Sequence, residues 1–218
     1  VVVVGIGGSS LGAKAVINSH PAPESLPAKL HFAENVDPVE FGHLLEQLDL
    51  ERTLVVVVTK SGTTIETMSK FWILYDRLIE ELGEEAAAEH VVAITDPESG
   101  SLRPMAESRG FEAFEVPPGV GGRFSVLTAV GLVPLALSGY DTEALQRGAR
   151  ACRDRLMDPP VEQNAAVVAS GDLYSLYRDG VDQIVMMPYA RQLLDLADWF
   201  RQLWAESLGK AKNRDGEV

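Results

Sequence analysis

The sequence predicts an α/β fold, a doubly wound and mainly parallel sheet, and two observations carry that expectation. Five short apolar runs rich in β-branched residues, at 1–4, 30–33, 54–58, 91–95 and 111–116, are separated by segments with helical patterning. Strands that alternate with helices imply βαβ units and hence a parallel sheet. The run Val55-Val56-Val57-Val58 also lacks any polar alternation, as a strand covered on both faces does.

Taken in order, the first run passes straight into glycines, and a helix is predicted over 11–19. The second is followed by Asp37-Pro38, an acidic cap and a first-turn proline, which open a helix over 39–48. The third leads through a hydroxyl-rich turn to a helix over 65–82 that Gly83 stops. The fourth leads to a helix over 102–109 that Gly110 stops. After Gly122 the texture changes. Residues 125–137 read as one apolar helix closed by Ser138-Gly139, and 142–156 as an amphipathic helix rich in Arg and Glu, broken by Asp158-Pro159-Pro160. A further helix, a strand over 183–187 and a helix over 193–206 read as the opening of a second α/β unit. The predicted division is therefore 1–139 and 140–218.

Of the 218 residues, 46% are hydrophobic and 23% charged, which excludes disordered and collagen-like chains. The formal charge of −13 and a pI near 4.7 argue against a nucleic-acid partner, because binding a polyanion needs a basic surface. A small phosphorylated ligand needs only local positive potential and stays open. Cys152 is the single cysteine, which suits a reducing cytosol. No apolar run approaches the ~20 residues of a bilayer span, so no membrane partner is predicted and the location expected is the cytoplasm. His20, His31, His43 and His90 show no ligand spacing, so no metal is predicted. The chain does not begin with Met and opens inside a strand pattern, which predicts a segment of a longer protein.

Four segments carry chemistry. Gly5-Ile6-Gly7-Gly8-Ser9-Ser10-Leu11-Gly12 is a glycine-rich turn from strand to helix, where backbone N–H groups and the helix dipole favour an anion. It matches neither the dinucleotide fingerprint nor the nucleotide-hydrolase phosphate loop, and Ser9 and Ser10 lack the context of a hydrolase nucleophile. A plain tight turn remains the alternative. Thr59-Lys60-Ser61-Gly62-Thr63-Thr64 combines four hydroxyls, an ammonium and a glycine at a helix start, a compact phosphate cradle. Part of it also reads as a capping box, Thr63 with Glu66. Two anion loops at the C-terminal ends of two strands lie where open α/β sheets bind ligands.

Gly119-Val120-Gly121-Gly122-Arg123-Phe124-Ser125 exposes Arg123 at a strand end, either to stabilise an oxyanion or simply to pair with a carboxylate. Gln202 and Glu206, four apart on one helix face beside Trp204 and Leu208, suit a general base and its neighbour, or a solvated surface.

All four segments, in this order, resemble glucose-6-phosphate isomerase of the bacterial type. Gly5 to Gly12 is similar to the family's first glycine signature. Thr59 to Thr67 is similar to its Ser/Thr-Lys-Ser-Gly-Thr-Thr-x-Glu-Thr loop, Gly121 to Ser125 to its Gly-Gly-Arg-Phe-Ser segment, and Glu206 to Lys210 to its Glu-Ser-x-Gly-Lys segment. The resemblance implies a flavodoxin-like three-layer sandwich of the sugar isomerase (SIS) type over 1–139, with 140–218 as connecting helices and an incomplete second SIS-type domain. It implies interconversion of glucose 6-phosphate and fructose 6-phosphate without a cofactor, in a homodimer. Ser9, Thr59, Lys60, Ser61 and Thr64 would hold the phosphate, with Gly8, Gly62 and Thr63 shaping the pocket. Glu206 would be the base, Gln202 would contact the sugar, and Arg123 with Gly122 would face the enediolate oxygen.

The family's ring-opening His, given across a dimer interface, and its Lys lie beyond the segment matched by Glu206, so the 218 residues alone are predicted to turn over little or no substrate. The competing class is a non-catalytic sugar-phosphate sensor, which needs the phosphate cradle but no base over the sugar carbons.

Overall fold

The computed structural model describes residues 1–157, 159–212 and 214–216. Asp158 of the Asp158-Pro159-Pro160 break therefore lies outside the described residues. The chain divides into two compact units, one of Val1–Tyr140 with Pro188–Val218, the other Asp141–Met187.

The first unit is built on five strands, β1 (Val2–Val4), β2 (His31–Ala33), β3 (Val55–Val58), β4 (Val91–Thr95) and β5 (Glu112–Glu115). All pairings are parallel and the order is β2-β1-β3-β4-β5. In the register, Val2, Val3 and Val4 face Val55, Val56 and Val57 across the β1–β3 ladder. The two-residue side-chain period splits each central strand between two cores. Val2, Val4, Val55, Val57, Val91 and Ala93 enter one, with Phe71, Leu74, Tyr75 and Leu78. Val3, Val56, Val58, Val92 and Ile94 enter the other, with Val130. These strands are buried on both faces, as their unbroken apolar sequence requires, whereas the edge strand β5 keeps both glutamates and Phe114 exposed.

Between the strands run α1 (Leu11–Asn18), α2 (Pro38–Gln47), α3 (Ile65–Leu82), α4 (Glu84–Glu89) and α5 (Leu102–Arg109). Asp37 caps α2, its Oδ1 accepting from Val39 N at 2.8 Å and Glu40 N at 3.1 Å, with Pro38 in the first turn. Asp37→Ala is expected to destabilise the fold by about 1 kcal/mol, read as a lower midpoint in urea unfolding. Gly110 stops α5 in the left-handed conformation, φ 76°.

Two local expectations need correction. The capping box of Thr63 with Glu66 does not form: α3 starts at Ile65 with Thr64 at the cap and no side-chain bond to the helix. The hydroxyls bond one another instead. The single helix expected over 125–137 is split into a 3-10 turn, Gly122–Leu127, and α6 (Ala129–Leu137). Thr128 makes the break. It is extended, donates to Ser125 O at 2.7 Å and accepts from Val130 N at 3.3 Å, so it closes one element and caps the next.

The second unit contains α7 (Thr142–Met157) and α8 (Ala165–Arg178), joined by Asn164. Asn164 Oδ1 accepts from Ala166 N and Val167 N, and its Nδ2 donates to Leu156 O at 2.6 Å. Neither helix has a buried residue. The strand expected over 183–187 is absent, because a strand exists only where a neighbouring ladder pairs its backbone, and no described strand pairs with this run. The last helix is α9 (Leu194–Leu208). It packs against α1 within the first unit.

Candidate functional site

The site lies at the C-terminal ends of β1 and β3, adjacent strands where the order 2-1-3 reverses direction across the sheet, the usual ligand crevice of an open α/β fold. After β1 the chain makes a 3-10 turn, Gly7–Ser9, with Gly7 at φ 54°. Ser9, half-buried in this turn, donates its N–H to Ile6 O at 3.0 Å. Gly8 packs directly on the Gly122–Arg123 peptide, and a Cβ placed on it would stand 2.2 Å from Gly122 C. Ser125 Oγ stitches the same contact, donating between Gly122 O at 2.6 Å and Gly8 O at 3.2 Å.

After β3, Thr59 is buried and its Oγ1 lies 3.0 Å from Thr64 Oγ1 and 3.4 Å from Ser61 Oγ, with Ser61 and Thr64 3.2 Å apart. Thr63 donates both its N–H and its hydroxyl to Ser61 Oγ, each at 3.3 Å. Gly62, at φ 66°, is held by Ser101 Oγ donating to its carbonyl at 2.6 Å. Because these hydroxyls bond each other, no side chain occupies the N-terminal N–H groups of α3, and an anion there meets donors that have no stronger partner. Nearby, Asp96 is held below its usual carboxylate range, chiefly by the N–H of Glu98 and then of Ser99.

Lys60 does more than supply charge. Its Nζ donates to Pro118 O at 2.8 Å and Val120 O at 3.0 Å, fastening the hydroxyl loop to the segment that leads into Gly122 and Arg123.

Arg123 comes from the 3-10 turn, and Gln202 and Glu206 from α9. Arg123 Nη1 lies 3.5 Å from Glu206 Oε2, and Gln202 Nε2 donates to Glu206 Oε1 at 2.9 Å. Gln202 also sits over Gly7, where a Cβ would stand 2.9 Å from its Nε2. Its Oε1 is buried with no hydrogen-bond partner. The Glu206 side chain is 49% exposed and that of Arg123 24%.

Helix α9 is fixed near its start by Asp195, which accepts from Asn18 Nδ2 at 2.7 Å and lies 3.7 Å from Lys14 Nζ. Lys14 also pairs with Glu34. Burial opposes the charge on Lys14, but the bond to Glu34 and the Glu34, Asp195 and Asp198 carboxylates outweigh it and hold the ammonium above its ordinary range.

The structure thus gathers Gly8, Gly122, Arg123, Gln202 and Glu206 around one contact, and Thr59, Ser61, Thr63 and Thr64 around another. Among the described residues no hydrogen bond or ion pair joins the two groups directly; Lys60 links them through the loop. A cavity of about 280 Å³, lined in part by Phe32, Glu34, Phe41 and Leu44, is bordered by none of these residues. No described group of three or more His, Cys, Asp or Glu side chains is arranged to hold a metal.

Two further residues that no sequence motif marks join the cluster. Ser207 Oγ accepts from Arg123 Nε at 3.1 Å, and Trp199 Nε1 donates to Arg123 O at 3.1 Å. Position alone held the signal: Ser207 adjoins Glu206, and Trp199 lies seven residues before it, two helical turns along the same face.

The phosphoglucose isomerase family model matches residues 1–218. The chain belongs to this family. Its relatives include the glucose-6-phosphate isomerase of Rubrobacter xylanophilus, 46% identical over 213 residues that make up 95% of this chain and 49% of that protein. The enzyme of Carboxydothermus hydrogenoformans is 41% identical over 99% of this chain and 48% of its own length. Among solved structures, a hypothetical protein of Thermus thermophilus superposes with a TM-score of 0.90 at 40% identity, over 99% of this chain and 50% of that one. A glucose-6-phosphate isomerase of Chlamydia trachomatis gives 0.85 at 31% identity, over 99% and 41%. The chain spans about half the length of the curated phosphoglucose isomerase relatives it matches.

Proposed function

We propose that this chain supplies the phosphate cradle and the proton-transfer residues of an enzyme that interconverts glucose 6-phosphate and fructose 6-phosphate. The observation that carries the reading is the Arg123–Glu206–Gln202 cluster, set over the glycine turn of β1 and tied through Lys60 to the hydroxyl loop of β3. A sensor needs the loop alone. The phosphate would bind Ser9, Thr59, Lys60, Ser61 and Thr64, with Gly8, Gly62 and Thr63 shaping the pocket and the N-terminus of α3 adding its dipole.

Glu206 then takes the C2 proton of the open-chain aldose. The C2–H electron pair becomes the C1–C2 double bond, and the C1 oxygen becomes an oxyanion facing Arg123 and the backbone at Gly122. The proton returns to C1 as the C2 oxygen becomes the carbonyl, the O2 hydroxyl proton having passed to O1. Gln202, hydrogen-bonded to the base, faces the sugar. The reading takes residues 1–139 as an SIS-type domain, the complete enzyme as a homodimer, and its location as the cytoplasm. No described helix is long and apolar enough to cross a membrane.

The test is transfer of solvent deuterium to C2 of the sugar phosphate by the complete product of the gene, followed by NMR. In the same protein, Lys60→Met is expected to raise KM for fructose 6-phosphate by about tenfold to a hundredfold, the range of one hydrogen bond to a charged group. Because Nζ also fastens the 118–120 carbonyls, kcat is expected to fall by a smaller factor. Steady-state kinetics reads both.

A further inference from the structure

We infer that Ser207 is a positioning residue that keeps Arg123 from closing onto Glu206, so that base and guanidinium remain available together to the sugar. The inference rests on the role proposed above for Glu206.

A guanidinium beside a carboxylate ordinarily settles into two parallel, short hydrogen bonds of about 2.7–2.9 Å. Arg123 and Glu206 do not. Their shortest approach is 3.5 Å, from Nη1 to Oε2, and no hydrogen bond joins the two side chains. The side-on fork that would include Nε is closed, because Nε donates to Ser207 Oγ at 3.1 Å. The guanidinium carbon also lies 4.5 Å from the centre of the Phe124 ring, and the Arg123 carbonyl accepts from Trp199 Nε1. The side chain is therefore held at its Nε edge and on one face, and its backbone is pinned at the carbonyl. On the other side of the pair, Glu206 Oε1 accepts from Gln202.

Since Ser207 is the residue after Glu206 on α9, one helix presents both the base and the group that restrains its partner. Removing the Ser207 hydroxyl frees Nε, the edge whose bond closes the side-on fork, and lets Arg123 and Glu206 draw together as a bidentate pair. That pair would occupy the oxygen needed for the C2 proton and turn the guanidinium from the developing oxyanion. Both losses act on the transition state, whereas the hydroxyl loop that binds the ground state is untouched, so the effect falls on kcat rather than KM.

The test compares Ser207→Ala and Ser207→Thr in the complete gene product. The readouts are kinetics with fructose 6-phosphate and the affinities of two probes: an aldonate 5-phosphate, whose planar carboxylate mimics the enediolate, and a hexitol 6-phosphate, which has no carbonyl. Expected in Ser207→Ala is a fall in kcat of about tenfold to a hundredfold with KM within about twofold. Affinity for the aldonate falls in proportion, and affinity for the hexitol phosphate holds. Ser207→Thr, which keeps the oxygen, restores kcat to within about threefold of the parent.

An unchanged kcat in Ser207→Ala, an equal loss for both probes, or no rescue by Thr overturns the inference. Glu206→Gln, assayed beside them, separates the two levels. Deuterium exchange that survives that change removes the base assignment and this inference with it. Exchange lost there, with Ser207→Ala unaltered, overturns this inference alone.

Discussion

Glu206→Gln is expected to abolish solvent exchange at C2 and to lower kcat by about 10²–10⁴-fold, the range of a positioned general base, while the affinity for fructose 6-phosphate changes by less than about threefold. Glutamine has the shape of the carboxylate and keeps an Oε1 that accepts from Gln202, so α9 and the glycine turn beneath it stay in place. What disappears is the basic oxygen. Binding survives because the cradle of Thr59, Lys60, Ser61 and Thr64 is built from a different loop and reaches the Arg123 segment only through Lys60. No hydrogen-bonded cation occupies the Glu206 carboxylate among the described residues: Arg123 approaches it only to 3.5 Å, and Lys210 Nζ donates to the Glu206 backbone carbonyl, not to the side chain. NMR in deuterium oxide measures exchange and calorimetry measures binding. Exchange at the parent rate would mean that another group is the base.

What the sequence made legible and what it hid differ in physical kind. The central strands were readable because burial on both faces leaves no polar residue in a run such as Val55 to Val58, and this property belongs to the segment itself. The glycine turn and the hydroxyl loop were readable because backbone approach to an anion restricts residue type locally. Partnerships across the fold were not. Lys60 meets the carbonyls of Pro118 and Val120, and Arg123 meets Ser207, 84 residues on, and no local pattern encodes either meeting. The run over 183–187 shows the converse error: its composition suits a strand, yet pairing is a relation between two segments, and no described strand provides the second. Likewise Thr63 and Glu66 have the spacing of a capping box, but Ser61 Oγ accepts from Thr63 first.

Gly8→Ala is expected to destabilise the fold by about 1–3 kcal/mol, the range for overpacking, and to lower kcat/KM by about a hundredfold or more. An added Cβ would stand 2.2 Å from Gly122 C, 2.3 Å from Gly122 O and 2.6 Å from Arg123 N. All three are backbone atoms, so no flexible side chain can turn aside, and the two segments must separate by about 1 Å to reach ordinary contact. That movement stretches the bridge from Ser125 Oγ to Gly8 O, already 3.2 Å, and carries the Arg123 backbone away from the glycine turn. The oxyanion contact is lost because a hydrogen bond to developing charge weakens steeply over such a distance. Gly119→Ala serves as the control: an added Cβ meets nothing within 4 Å there, and the change is expected to stay within about 0.5 kcal/mol of the parent. Thermal unfolding of both variants beside their kinetics decides the matter. A Gly8→Ala protein as stable and as active as Gly119→Ala would show that the close approach of the glycine turn to Gly122 and Arg123 is not what holds the guanidinium over the site.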